Sequence, residues 1–160
     1  MRNPLAPLAP LALSFALALG CGGAKDDKSD EPAGGPAKIE AVGVQVELPA
    51  GWSYAEKNGG HWVSKGAFYG AQLQKMDAMP GSLEDAKKGW MEGTVKDEGE
   101  KGGAFYAVVE VEFPGDEAMK LPYVYVIAPV GDAAVQCSGQ LQAGDDAKAL
   151  VDVCLTMKPL

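Results

Sequence analysis

The sequence predicts an α+β domain, a mainly antiparallel sheet with helices packed on it. Three observations predict it. Apolar residues alternate with polar ones along several stretches, which is the period of a half-buried strand. Clusters of Gly, Pro and Asn punctuate those stretches as turns. Two segments with helix chemistry interrupt the series, giving the order strands, helix, strands, helix, the pattern of α+β rather than of repeated βαβ units.

Each element has its own warrant. Val42, Val44, Val46 and Leu48 alternate with Gly43, Gln45 and Glu47, and Pro49-Ala50-Gly51 stops that strand. Trp52 and Tyr54 open a short element, Asn58-Gly59-Gly60 is a strong turn signal, and 61–64 resumes. Residues 68–76 read as a further strand. Ser82 can then cap a helix with Glu84 and Asp85 in its first turn, where the dipole favours acids. Leu83, Ala86, Trp90, Thr94 and Val95 would share one face of it. Gly89 and Gly93 each cost about 1 kcal/mol relative to Ala, so this helix must depend on close packing against the sheet. Asp97, Glu98 and Glu100 follow as a solvated, mobile helix-to-strand loop.

The second half is clearer. Phe105, Ala107, Val109, Val111 and Phe113 fall on one strand face, with Glu110 and Glu112 on the other. Residues 123–128 are apolar on both faces, which suggests a central strand. Val135, Cys137, Gly139 and Leu141 line the inner face of the next strand. A last helix runs to about Met157 and buries Ala147, Leu150, Val151 and Cys154. No internal repeat is present.

The N-terminus is a targeting segment. Arg2 precedes a compact apolar run, Leu11 to Leu19, that is too short and too rich in flanking Pro and Gly for a ~20-residue membrane span. Ala18-Leu19-Gly20-Cys21 resembles the lipobox of bacterial lipoprotein signals, where a small residue precedes the cysteine. The resemblance implies cleavage after Gly20 and acylation of Cys21, so that residues 1–20 are a signal peptide. An ordinary secretory signal cut near Ala16-Leu17-Ala18 and an uncleaved anchor are the alternatives. Residues 21–38 hold the acylated cysteine and an acidic Gly/Pro-rich tether without large apolar side chains, too little surface to offset ordering entropy. Residues 39–160 form the single domain. By the enterobacterial sorting scheme, Gly22 after the cysteine favours the periplasmic face of the outer membrane over the inner membrane.

Three features of the domain resemble the PsbP/DcrB-like superfamily of small α/β sandwiches. They are an opening strand running into Leu48-Pro49-Ala50-Gly51-Trp52, the Ser82-Leu83-Glu84-Asp85 helix start, and a late strand with Cys137-Ser138-Gly139 before a C-terminal helix ending in Met157-Lys158-Pro159. The resemblance implies that sandwich fold and no catalytic residues.

An oxidising compartment makes a Cys137–Cys154 disulfide the natural pairing once Cys21 is acylated, worth ~3 kcal/mol by loop entropy. It requires the helix to approach the sheet closely, which Gly139 and Ala147 would allow.

The chain is poor in catalytic chemistry. His61 is the single histidine, and Ser53, Ser64 and Ser138 lack the setting of an activated nucleophile. Zinc, calcium and phosphate-cradle patterns are missing, so neither a metal nor a cofactor is expected. A net charge of −8 argues against nucleic acid. The leading expectation is a non-enzymatic, lipid-anchored envelope protein that interacts with the membrane through its acyl chains and with another envelope protein as an accessory module. The alternative is a small-ligand or lipid-binding lipoprotein with a groove at Trp52, Trp62 and Tyr69.

Mass spectrometry of the exported protein is expected to find Cys21 as the N-terminal residue, carrying acyl chains. An unmodified Cys21, or retention of Met1, would refute the lipoprotein assignment.

Overall fold

The computed structural model describes residues 34–114 and 119–160. The predicted signal peptide, Cys21 and the first part of the tether lie outside the described residues. In chain order the elements are β1 (Gly35–Ile39), β2 (Val44–Leu48), β3 (Ser53–Lys57), β4 (Gly60–Lys65), β5 (Tyr69–Met76), α1 (Leu83–Lys87), β6 (Thr94–Lys101), β7 (Ala104–Phe113), β8 (Met119–Val130), β9 (Ala133–Gln140), α2 (Ala147–Cys154) and β10 (Lys158–Pro159). Strands β1, β2 and β10 form a small sheet with β2 in the centre. The others form a seven-stranded sheet in the order β3-β4-β5-β9-β8-β7-β6. All paired strands run antiparallel. The fold is sheet-rich α+β with two short helices.

The turns follow local chemistry. Asn58 (φ 53°) and Gly59 (φ 72°) both take left-handed conformations between the paired residues Lys57 and Gly60. That is the two-residue hairpin geometry whose twist matches its strands, and Asn-Gly is the dipeptide that tolerates it best.

The inner face of the large sheet packs on the small sheet and α2. Val63, Leu73, Val124, Val126, Val135 and Cys137 meet Val44, Val46, Leu150 and Val151 in the main core. Each fully buried Val or Leu contributes roughly 1.5–3 kcal/mol. At the C-terminal end of α2, Thr156 Oγ1 accepts from the Glu47 backbone N–H at 2.9 Å and donates to the Val153 carbonyl at 2.7 Å, tying helix to small sheet. On the outer face, Ala86 of α1 lies over Phe105, Ile127 and Ala134, with Met79, Leu83 and Trp90 around it. Trp90 also joins a third cluster of Ala107, Val109, Val111 and Tyr125.

Several expectations from the sequence are corrected. The tether does not extend to residue 38, because residues 35–38 belong to β1 and pair with β2. Backbone pairing and a half-buried Ala37 supply what the side-chain composition lacked. Val42 is buried but lies in the turn before β2.

The first helix keeps its predicted start, with Ser82 Oγ accepting from the Asp85 N–H at 3.1 Å, but ends at Lys87. Trp90 lies beyond it, and Thr94 and Val95 are already in β6. The carboxylates of Asp97, Glu98 and Glu100 are therefore on an edge strand, not in a loop. Glycine is the reason for the early stop: a Cβ at Gly93 would lie 2.4 Å from the Glu110 carbonyl, so the chain there hugs the sheet and a continuing helix has no room.

Cys137 and Cys154 face one another as a disulfide-forming pair with Cα atoms 5.9 Å apart. Gly139, expected to admit the helix, instead admits a strand. A Cβ on it would come within 2.1 Å of the Gly70 carbonyl of β5. Gly70 is nearly as tight against β4, where a Cβ would lie 2.4 Å from the Val63 carbonyl oxygen.

Among the described residues, no helix is long and apolar enough to cross a membrane.

Two stability predictions follow from these contacts. Replacing Cys137 and Cys154 together by Ala is expected to lower unfolding free energy by about 3 kcal/mol in urea titrations. Gly139→Ala should cost about 1–3 kcal/mol, since backbone must move to admit the methyl group; an unchanged midpoint would refute the close β5–β9 approach.

Candidate functional site

Strand alternation places every second residue of the large sheet on its outer face. The 77–93 segment covers that face over β7, β8 and the adjoining ends of β9 and β5 at Ala134 and Met76, and leaves it open over β4 and the rest of β5 and β9. Cross-strand partners on the open part are Trp62 with Gln72, Gln72 with Ser138, Gln74 with Gln136, and Tyr123 with Gln140. These side chains are half-buried or exposed. Gln136 Nε2 donates to Ser138 Oγ at 3.2 Å, and the Tyr123 hydroxyl donates to Gln140 Oε1 at 2.5 Å. Gln72 Nε2 and Trp62 Nε1 converge on the space left by Gly60, where a Cβ would meet them at 2.6 and 3.0 Å.

Aromatic rings wall the face. Trp90 stacks on Tyr125 (5.2 Å, 15°), Tyr125 on Tyr123 (6.1 Å, 19°), and Tyr123 meets Phe113 at 6.4 Å. Tyr125 is buried, and its hydroxyl accepts from the Met91 N–H at 3.2 Å, fixing the end of the covering segment. At the opposite border, Trp62, Ser64, Phe68 and Gly70 help to line a hollow of about 350 Å³, with Lys57 at its rim. Phe68 is 77% exposed there, the most exposed large apolar side chain among the described residues.

Of the groove expected at Trp52, Trp62 and Tyr69, the structure brings Trp62 and Tyr69 onto the 350 Å³ hollow and leaves Trp52 out of it. Trp52 is 4% exposed and belongs to the main core, packed on Tyr69 at 5.1 Å. Trp62 lies across the sheet from it, because it alternates with the core residue Val63. Tyr69 is structural as well: its hydroxyl donates to the carbonyl of Asp146, the residue that caps α2. His61 lies near the start of β4, where the strand was expected to resume, and its Nδ1 pairs with the Tyr54 hydroxyl at 2.9 Å. Among the described residues, no three His, Cys, Asp or Glu side chains gather as a metal site.

A larger hollow, about 780 Å³, lies between α2 and the ends of β7 and β8. Of its cations, Lys148 and Lys158 are engaged by Asp152 and Glu47, while Lys101 makes no ion pair among the described residues.

The amides of the open face were passed over in the sequence because the strands were read for their apolar halves. The complementary signal was present: Gln72, Gln74, Gln136, Ser138 and Gln140 occupy alternate positions with no charge among them.

No family model matches the chain, and no curated protein matches it. A crystal structure from Bacteroides thetaiotaomicron at 1.50 Å resolution is similar, with a TM-score of 0.54 and 16% sequence identity over 81% of this chain and 49% of that one. The chain thus spans about half the length of that protein, and the likeness concerns the fold alone.

The Tyr69 hydroxyl gives the structural assignment a pH signature. Burial, then the charges of Asp146 and Asp145, push its pKa from 10 to about 12. The folded state holds this proton more tightly than the unfolded chain, so the contribution to stability is complete below pH 10 and is lost as pH rises toward 12. Alkaline titration of tyrosinate absorbance is expected to lose its latest-ionising group in Tyr69→Phe, and that variant should show a flatter fall in stability across the same range.

Proposed function

We propose that the chain is a non-catalytic, lipid-anchored accessory protein of the bacterial cell envelope that works by binding. In this reading residues 1–20 direct export, and Cys21 carries the acyl chains at the periplasmic face of the outer membrane. The PsbP/DcrB-like domain then presents the open face of its large sheet. The observation that carries the reading is that face: fixed amides, hydroxyls and aromatic rings on three adjacent strands, left uncovered by the segment that seals the other half of the same surface. Pairing of His61 with a phenol rather than with a serine or cysteine supports a non-catalytic role.

A protein adaptor would use an apolar patch or a free sheet edge. The edge strand β6 is long and exposed, but Lys96, Asp97, Glu98, Glu100 and Lys101 give it the charge that discourages strand addition. Phe68 lies beside the open face. Both features favour binding on that face over pairing at the edge.

Site-specific photo-cross-linking in the native envelope tests this. A cross-linker at Gln74 is expected to capture a reproducible envelope component, whereas one at Lys96 captures none. Capture through Lys96 alone, or a protein recovered outside the membrane fraction, would overturn the proposal.

A further inference from the structure

We propose that the open sheet face binds a neutral polysaccharide chain. The inference deepens the binding-module reading and rests on it.

The first argument is charge. This chain solvates its other exposed strand surfaces with ions: Lys96, Asp97, Glu98 and Glu100 on β6, and Glu110 and Glu112 on β7. Across β4, β5 and β9 the outer face carries Trp, Ser, Gly and Gln instead, in a chain with a net charge of −8. A phosphate or carboxylate ligand would find Lys57 at the border and no other cation on the outer face, because Lys65 and Lys75 alternate onto the side of Val63 and Leu73. A basic ligand would be drawn to the acidic edge strand.

The second argument is hydrogen-bond valence. A glutamine amide offers two donors and a carbonyl acceptor. An anion satisfies the donors and strands the carbonyl; an aliphatic ligand strands both, at about 1–3 kcal/mol for each polar group left unpaired. A sugar hydroxyl donates and accepts, and so matches a row of amides in either orientation. The side-chain amides of Gln72 and Gln74 hydrogen-bond to no other described residue, which leaves both available. Gln136 and Gln140 are oriented by Ser138 and Tyr123.

The third argument is shape. Trp62 and Phe68 both line the 350 Å³ hollow at one border, and Tyr123, across from Gln140, stands at the other. Flat rings pack against the C–H faces of sugars, while the amides between them meet the ring substituents. From β4 to β8 the platform is about 14 Å across, three strand spacings. It is open at its ends rather than enclosed. That geometry admits a chain passing over it, and gives a single sugar little to fill.

Tryptophan fluorescence of the acylated protein, held in micelles of a detergent without a sugar headgroup, reports on the site. Trp52 is buried and Trp90, part of the covering segment, is stacked on Tyr125, so the responsive ring is Trp62. The probes are maltohexaose, cellohexaose, mannohexaose and chitohexaose, with hexagalacturonate as the charged comparison. At least one neutral hexasaccharide is expected to shift the emission, and its disaccharide to bind about tenfold more weakly. Hexagalacturonate should not bind. Trp62→Phe should lose the signal, and calorimetry should find binding weakened about tenfold or more in Gln72→Ala, a surface change that leaves the thermal transition in place.

Failure of all four neutral hexasaccharides at millimolar concentration would overturn the proposal, as would binding that survives both Gln72→Ala and Trp62→Ala. If the glycans fail while Gln74 cross-links to a protein in the envelope, the ligand class falls and the binding module stands.

Discussion

The ladder between β5 and β9 is the constraint on which the rest of this fold depends. The large sheet consists of two meanders, β3-β4-β5 and β6-β7-β8-β9, each built from neighbours in sequence. They join where Gln72 to Met76 pair with Ala134 to Ser138, residues separated by the whole of α1 and three strands. Closing so long a loop costs entropy that local hairpins do not pay. Two devices offset it. Gly70 and Gly139 let β4, β5 and β9 approach with nothing but backbone between them, and the Cys137–Cys154 pair ties β9 to the helix beneath. A side chain at Gly139 would wedge the meanders apart, and one at Gly70 would part β4 from β5.

The same ladder creates the binding face. With β9 inserted between β5 and β8, its own amides join those of β5 on one side to the stacked tyrosines of β8 on the other. The brevity of α1 does the rest. A helix continuing through residue 95 would have crossed the outer face, but the chain turns at Gly89 and Gly93, and Trp90 seals only the half above β7 and β8. Half of the face becomes core and half stays open. The boundary between them is the Tyr123–Tyr125 stack.

Much of this was legible in the residues. The period-two pattern of 44–48, 105–113 and 135–141 reports burial directly, so the sheet class and the inner-face residues of β9 follow from sequence. The Ser82 cap and the Asn58-Gly59 turn are local signals and were equally readable. What could not be read was anything decided by a distant partner. Strand β1 is half-polar and is a strand because β2 pairs with it. Strand β6 has a sequence, TVKDEGEK, that suits a solvated loop, and is ordered by β7. Trp52 and Trp62 look alike in sequence and separate to opposite sides of the sheet, because Trp52 precedes β3 and tucks into the core whereas Trp62 alternates with Val63. The open face escaped notice for a related reason: uncharged polar residues at alternate positions look like mere solvation until neighbouring strands put them in rows.

Strand β9 explains why a site could be built here. Its odd-numbered residues, Val135, Cys137 and Gly139, are wholly committed to the core, the cysteine pair and the β5 approach. Its even-numbered residues, Gln136, Ser138 and Gln140, form the middle row of the open face. One strand thus has its inner side fixed by packing and its outer side free to bind. Side chains on a backbone held in this way lose little further freedom when a ligand arrives, and preorganisation of that kind is what lets a shallow surface bind at all. Placing the same amides on β6, which is held by β7 alone, would leave them on a strand free to fray. The polar face is therefore found where the backbone is most restrained, and the exposed edge is left to charge.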